Sequence, residues 1–314
     1  MSSNQKIETL YNEQLKPKLA KLEKDRHAIQ KKLVIATVLA IPFFMIPFFV
    51  RNQIGVWALM VSSFLVIMII LAWALTLYFK YRHQFKEIVV KELVKLINPD
   101  FNYDPYDHIN VLEFNKAKMF AKGERAIGDD LVKGNIDKTR FEFSEIKVGQ
   151  GTQNAQQSKQ SYFFRGLFFY ADFNKKLTGE TFVGPDKAEK LFGKMGQKLQ
   201  TISSKGELIK LENSDFEKMY VVHSSDQTEA RYILTPKMME AMVNIREKHP
   251  LDFHFSFVDQ RVNCAIKFNK NLFEPVIWGK GLKLSDVEYF YNLLELIQTI
   301  ITEMNLNLRI WAVE

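Results

Sequence analysis

Two apolar runs near the start of the chain dominate its hydrophobic pattern. Leu33–Val50 and Ile54–Phe79 carry no charge and are separated only by Arg51, Asn52 and Gln53. A helix needs about 20 mostly apolar residues to cross a bilayer, with roughly 17–25 tolerated. Neither run has a polar face to turn to water, so the pattern predicts a transmembrane helical hairpin over residues 33–79 rather than a buried hairpin of a soluble protein. Pro42 and Pro47 are expected to kink or shorten the first span. Upstream, Ile7, Leu10, Tyr11, Leu15, Leu19, Leu22 and Ile29 recur at helical spacing, with Pro17 as an obstacle to one unbroken helix. This amphipathic segment (residues 1–32) would form an oligomeric coiled coil, lie on the membrane, or pack back on the protein's own cytoplasmic domain. Downstream, Phe85, Ile88, Val89, Leu93 and Leu96 carry the second helix through a juxtamembrane segment (residues 80–98) until Asn98-Pro99 stops it.

Beyond residue 98 the pattern becomes that of a globular domain, residues 99–314. A helix is expected over Ile109–Ala121. Thr139–Val148 alternates apolar and polar like a half-buried strand. Gly149–Ser161 is loop-like by composition, and Tyr162–Phe173, apolar on both faces, suits a central strand. Its Arg165-Gly166 step suggests a bulge or a close backbone approach. Short strands are expected at Gly179–Val183, Glu207–Leu211 and Met219–His223, and a short helix at Asp186–Met195. Thr235-Pro236 opens a helix to Lys248, and Ser285 with Glu288 reads as a capping box opening Asp286–Met304. Phe253–Val258 and Val262–Phe268 form a hairpin around Asp259-Gln260-Arg261, and Asn307–Ala312 would add a last strand. The class is α+β, a mainly antiparallel sheet with flanking helices.

Charge fixes the expected orientation. The formal net charge is +7, yet residues 1–32 contribute +4 and residues 80–98 contribute +3, while residues 99–314 sum to −1. Basic side chains therefore flank the apolar pair, and Arg51 alone lies between its arms. This predicts a multi-pass protein with both termini cytoplasmic and a bilayer with anionic headgroups as partner. The neutral globular part lacks the basic face that nucleic acid requires. The long basic lead and the prolines argue against a cleaved signal peptide. Trp57, Trp73, Tyr78 and Tyr81 are the expected interface anchors. The single cysteine, Cys264, excludes an internal disulfide framework.

No P-loop, dinucleotide-binding, zinc-protease, nucleophile-elbow or C-x-x-C motif is present. The six histidines are scattered, and His249 with His254 forms no metal-ligand spacing. Cys264 reads as core. Asp129-Asp130 reads as a loop pair that would need further oxygen ligands to hold a cation. No metal and no cofactor is expected. Four residues remain as catalytic candidates. Arg165 lies among aromatics and would pair with a carboxylate such as Asp172 or Glu212, point outward, or bind an anion. Asp226 can cap a turn answered by Glu229, with Arg231 on a neighbouring face, forming either a structural corner or an acid–base group.

The two-span start, FRGLFFYADFNK (Phe164–Lys175), LE-x-x-x-F (Leu211–Phe216), SDQTEARYILTP (Ser225–Pro236) and LNLRIW (Leu306–Trp311) together resemble a family of bacterial membrane proteins known only as a domain of unknown function. The resemblance implies a bacterial inner-membrane location and a cytoplasmic domain, and brings no activity or catalytic residue with it. Three functions stay open. The first is a membrane-anchored interaction or scaffold module that binds a protein partner or itself as a homo-oligomer. The second is an enzyme on a lipid or lipid-linked phosphorylated substrate, with Arg165 and Arg231 gripping phosphate and Asp226 or Glu229 moving protons. The third is an oligomeric channel or membrane effector, for which spans almost without ionisable groups are a poor ion pathway.

Overall fold

The computed structural model describes residues 3–49, 54–150, 161–173, 176–186, 206–279 and 281–304. The chain divides into two compact units, Met1–Leu93 with Phe273–Asn292, and Val94–Leu272 with Leu293–Glu314.

In the helical unit, α1 (Ser3–Thr9) passes through a π-helical turn, Leu10–Leu15, into α2 (Lys16–Phe49). The π turn explains how the helix passes Pro17. A proline cannot donate, and its ring crowds the carbonyl four residues earlier. Here the Lys16 amide bonds to the Tyr11 carbonyl, five residues back, and the widened turn makes room. α2 then continues through Pro42 and Pro47 to Phe49 instead of ending at either. α3 (Ile54–Phe85) continues through a second π turn, Lys86–Val90, into α4 (Lys91–Ile97), and the helix stops at Asn98-Pro99 as expected. Arg51, Asn52 and Gln53 lie outside the described residues.

α2 packs against α3. Near the basic flanks the helical unit has an ordinary core: Leu15, Leu22 and Ile29 in the first helical run and Tyr81, Phe85 and Val89 in the second are all buried. The apolar stripe of residues 4–31 is thus spent inside the chain's own helical unit, not held out as a free seam. Further along, the helices turn apolar side chains outward. Val34, Val38, Ile41 and Met45 on α2 and Val61, Leu65, Ile69, Trp73 and Phe79 on α3 are 48–66% exposed. Among the described residues one helix, Met60–Ile97, is long and apolar enough to cross a membrane.

The second unit is α+β. Its strands are β1 (Asn102–Asp104), β2 (Arg125–Ile136), β3 (Thr139–Gln150), β4 (Ser161–Asp172), β5 (Thr181–Pro185), β6 (Glu207–Ile209), β7 (Tyr220–Ser224), β8 (Phe253–Val258) and β9 (Arg261–Lys267). They form one sheet in the order β1-β2-β3-β4-β9-β8-β5-β7-β6, and all neighbours are antiparallel. The helices are α5 (Val111–Lys116), α6 (Ser214–Met219), α7 (Gln227–Ile233), α8 (Pro236–Lys248) and α9 (Leu284–Glu303), which begins in the helical unit. On one sheet face Ile146, Val148, Phe164, Phe168 and Ala265 pack with Ile109, Phe114 and Met119 from α5 and its flanks. On the other, Tyr220 contacts Phe216 of α6 at 5.1 Å between ring centroids and donates to the Met242 carbonyl of α8.

Several expectations change. The helix predicted over Ile109–Ala121 is only α5, because the Asn115 side chain bonds both to the amide and to the carbonyl of Gly123 and pins the following turn. Asp129-Asp130 is not a loop but a bulge within β2: the register shifts between Asp129 and Val132, and Asp130 has φ +59°. At Gly166 the irregularity is close approach, since a Cβ there would collide with the Ile266 carbonyl oxygen of β9. The bulge falls nearby at Phe163, between the Val148–Phe164 and Gly149–Tyr162 pairs. α9 starts at Leu284, and Asp286, not Glu288, reaches back to an amide, that of Lys283. Thr235 caps α8 as predicted, accepting from the Met238 amide. The Gly149–Ser161 loop is shorter at both ends than expected, since Gly149 and Gln150 belong to β3 and Ser161 to β4; its residues 151–160, the Asp186–Met195 helix beyond Asp186 and the Asn307–Ala312 strand lie outside the described residues.

Candidate functional site

Sheet register determines which predicted site residues can meet. Arg165 lies near the start of β4. The rung through Ala171 passes to Val262, Phe257, Thr181 and Ser224, and Asp226 lies two residues beyond it. Six residues along the strand are roughly 20 Å, and four strand spacings are roughly 19 Å across. Arg165 therefore stands at the opposite end of the sheet from Asp226 and Glu229.

Each of these groups has a local task. Arg165 donates to the Asn269 carbonyl at 3.0 Å and to Asn271 Oδ1 at 2.7 Å. The sequence suggested Asp172 or Glu212 as its partner; instead it ties down the segment after β9. Asp226 is the N-cap of α7, accepting from the Thr228 and Glu229 amides. Glu229 does not answer that cap. Its carboxylate accepts from the Thr178 and Gly179 amides at 2.8 and 2.7 Å and from Thr178 Oγ1 at 3.2 Å, clamping the entry to β5. The Asp226 amide is taken by Ser224 Oγ. Arg231 is exposed in the last turn of α7.

Two polar clusters are assembled by the sheet, the first unseen in the sequence and the second seen only in part. On the face covered by α5, Arg261 stacks over the Tyr170 ring, 3.7 Å from its centroid, and donates to Glu113 at 2.7 Å. Burial alone would raise the Glu113 carboxyl, but bonds from Lys116 and Arg261 hold it below the usual carboxylate range. Tyr170 bonds Glu142, and its hydroxyl is pushed up by burial and by that carboxylate. Glu142 also meets Arg140 and Lys133. Only a register, which spacing does not reveal, brings these residues together.

The second cluster is acidic. Asp129 of β2 faces Glu145 of β3 directly, and the bulge adds Asp130, so that one carboxylate oxygen from each lies within 4.8 Å of the others. Asp130 and Glu145 are buried. Like charges directly opposite disfavour strand pairing. The Tyr103 hydroxyl donates to Asp130 at 2.5 Å and the Leu272 amide to Glu145 at 2.6 Å, offsetting part of that cost. Three such oxygens are the donor type of a hard cation site. The Asp129-Asp130 pair was visible in the sequence; Glu145, the third oxygen ligand it called for, was not.

Two further titratable groups, Cys264 and His254, behave as core. Cys264 is buried and its thiol is pushed up by desolvation, the opposite of an activated nucleophile. His254 lies against Phe120, their ring centroids 5.5 Å apart and tilted, and is lowered to about 4, first by burial and then by Lys267.

Residues 162–306 match the model of a family described as "Protein of unknown function (DUF3137)". The match begins at β4 and includes the FRGLFF and EARYILTP segments, so the resemblance to a family of unknown function holds over the second part of the chain. No curated protein matches. Among solved structures, the crystal structure of the mycobacterial trehalose monomycolate transport factor A, TtfA, aligns with a TM-score of 0.33 and 9% identity, covering 67% of this chain and 93% of that one. A score of 0.33 does not establish a shared fold.

Proposed function

We propose that the chain is a two-span, membrane-anchored interaction module of the bacterial inner membrane, with both termini cytoplasmic and the α+β unit offered to a protein partner or a second copy. One observation carries this reading: the outward apolar surface of α2 and α3, where Val34, Val38, Ile41 and Met45 on one helix and Val61, Leu65, Ile69, Trp73 and Phe79 on the other stand about half exposed. Such a surface costs free energy in water at about 25 cal/mol per Å² and none in lipid. Anionic headgroups would meet the basic flanks. Against the enzyme reading stands the dispersal of Arg165 from Asp226 and Glu229, and their use in a cap, a clamp and a tether. An enzyme needs these groups at one concave site.

Single cysteines at Ser3 and at Asn52, in a Cys264→Ala background, test the topology. An impermeant maleimide applied to intact spheroplasts should label Asn52→Cys at once and Ser3→Cys only after permeabilisation. Equal labelling of both would overturn the two-span reading. For the interaction half, light scattering and mass spectrometry of the nanodisc-purified protein should show a defined homo-oligomer or a stoichiometric protein partner. A monomer carrying a phosphorylated lipid would replace that half with the enzyme.

A further inference from the structure

We propose that Pro275–Gly279 is an interfacial wedge, whose Val276 and Trp278 enter the headgroup layer of the bilayer beside the helical pair. The inference rests on the two-span reading above and concerns only the helical unit, to which this segment belongs.

The segment is rooted at both ends. Phe273 is fully buried, its ring 5.7 Å from Phe290. Glu274 receives Arg82 through Nε at 2.8 Å and Nη2 at 2.5 Å, with Lys86 Nζ at 3.5 Å. The Ile277 carbonyl accepts from Gln30 Nε2 at 2.7 Å and Arg26 Nη1 at 3.1 Å, and the Gly279 carbonyl accepts from the same Arg26 nitrogen at 2.8 Å. Tyr11 reaches the Leu282 carbonyl at 3.3 Å. Between these ties, with Pro275 buried, Val276 and Trp278 project, 46% and 57% exposed. A tightly held backbone that presents a tryptophan and a valine to the outside is built to present them.

Their height follows from helix geometry. Gln30 lies three residues and Arg26 seven residues before Leu33, where the apolar run begins, or roughly 4.5 and 10 Å along the axis. The headgroup layer is roughly 5–7 Å deep on each side of a hydrocarbon core of about 30 Å. The Ile277 carbonyl, bound by Gln30, therefore lies at headgroup level, and the Gly279 carbonyl, held by Arg26, at its aqueous edge. Tryptophan, with a large apolar ring and one N–H donor, concentrates at this depth. One turn beyond Gln30 on α2, Val34 and Ile35 are exposed as well. In sequence Trp278 lies about 200 residues downstream of the apolar runs, so nothing local marks it as an anchor.

The test uses the full chain in nanodiscs of 3:1 phosphatidylcholine to phosphatidylglycerol containing bromine-labelled lipid. One variant keeps Trp278 alone, with Trp57, Trp73 and Trp311 changed to Phe; the other keeps only Trp57, at the far end of the second run. We expect lipid brominated high on the acyl chain to lower Trp278 emission at least twofold, lipid brominated near the chain end to do so less, and aqueous iodide to have little effect. If Trp57 is quenched by bromolipid and Trp278 is not, the wedge is wrong and the two-span reading survives. Should neither be quenched, the span reading fails and the wedge with it. A Trp278 shielded from both bromine and iodide is covered by protein, which also overturns the proposal.

Discussion

Replacing Glu229 by alanine is the sharpest way to separate a structural corner from a catalytic one. The wild-type carboxylate accepts two backbone amides, Thr178 and Gly179, and the Thr178 hydroxyl. Hydrogen bonds to a charged acceptor contribute roughly 1.5–3 kcal/mol each when buried. The loop here is partly exposed, so water can replace part of what is lost, and about 1–1.5 kcal/mol per amide is the better figure. The alanine variant should lose about 2–3 kcal/mol. Each kcal/mol moves Tm by roughly 2–4 °C in a domain of 150–250 residues, so the expected drop is about 4–12 °C. Glu229→Gln keeps one acceptor oxygen and turns an NH2 toward the other amide, and should fall between alanine and wild type. Arg231→Ala, at an exposed helical position, should stay within about 0.5 kcal/mol. Thermal unfolding of the detergent-purified full chain, followed by near-UV circular dichroism, reads all three. An alanine variant that melts within a degree or two of wild type would show that the carboxylate holds nothing, and would return Glu229 to the pool of chemical groups.

Four further outcomes are expected. His254, lowered in the fold to about 4 by burial and Lys267, takes up its proton in the unfolded chain first, near pH 6.5; stability should fall as pH drops from about 6.5 to 4, by up to about 3 kcal/mol, and level off below. Urea midpoints at pH 7, 5.5 and 4.5 should show this slope, and His254→Gln should flatten it. Cys264, buried and with its thiol raised, should react with iodoacetamide only at the rate of unfolding. Gly166→Ala places a methyl group against the Ile266 carbonyl at a backbone φ of +156°; it should part β4 from β9 and leave the protein insoluble on expression. Tyr103→Phe removes the donor to buried Asp130 and should cost roughly 1.5–3 kcal/mol in a urea titration.

Legibility in the sequence followed the range of the interaction. The Thr235 cap, the stop at Asn98-Pro99 and the hairpin of β8 and β9 rest on neighbours within a few residues, and all were readable. So was β3 as a strand, but its alternation misstated the burial: Glu142, Ser144 and Glu145 are buried along with Phe141, Phe143 and Ile146, because both faces of this central strand are covered. β2 was missed as a strand: its bulge at Asp130 breaks the alternation, and Gly128 and Gly134 look like turn residues until the crowding of β3 and Phe101 against them is known. The candidate site was legible as residue types and not as an arrangement. Asp226 announced a cap, but the destination of Glu229 depends on Thr178 and Gly179, some fifty positions away. Arg165 found Asn269 and Asn271, over a hundred positions away, because β9 lies beside β4 and no local signal encodes that neighbour.

Long-range pairing also bears on the proposed orientation. Several cations counted in the basic flanks are spoken for in the folded helical unit: Arg26 by Glu23, Arg82 by Glu274, Lys18 by Glu92 and Lys91 by Glu87. Arg26 is almost wholly buried and Lys86 completely so. Counted as a field around the finished protein, the basic collar is weaker than the sequence makes it. Orientation, however, is decided as helices enter the membrane, and lysine and arginine weigh in that decision while acidic residues contribute little. The chain emerges from its N-terminus, and Glu274 lies 192 residues after Arg82. On the proposed topology both apolar runs insert before Glu274 is made, so Arg82 and Lys86 act on orientation without that carboxylate beside them. Only later does Phe273–Asn292 return, using the same Arg26, Arg82 and Lys86 to fasten itself to the helices. One set of cations would thus serve twice, first to set which way the hairpin faces and then to hold the segment that carries Trp278.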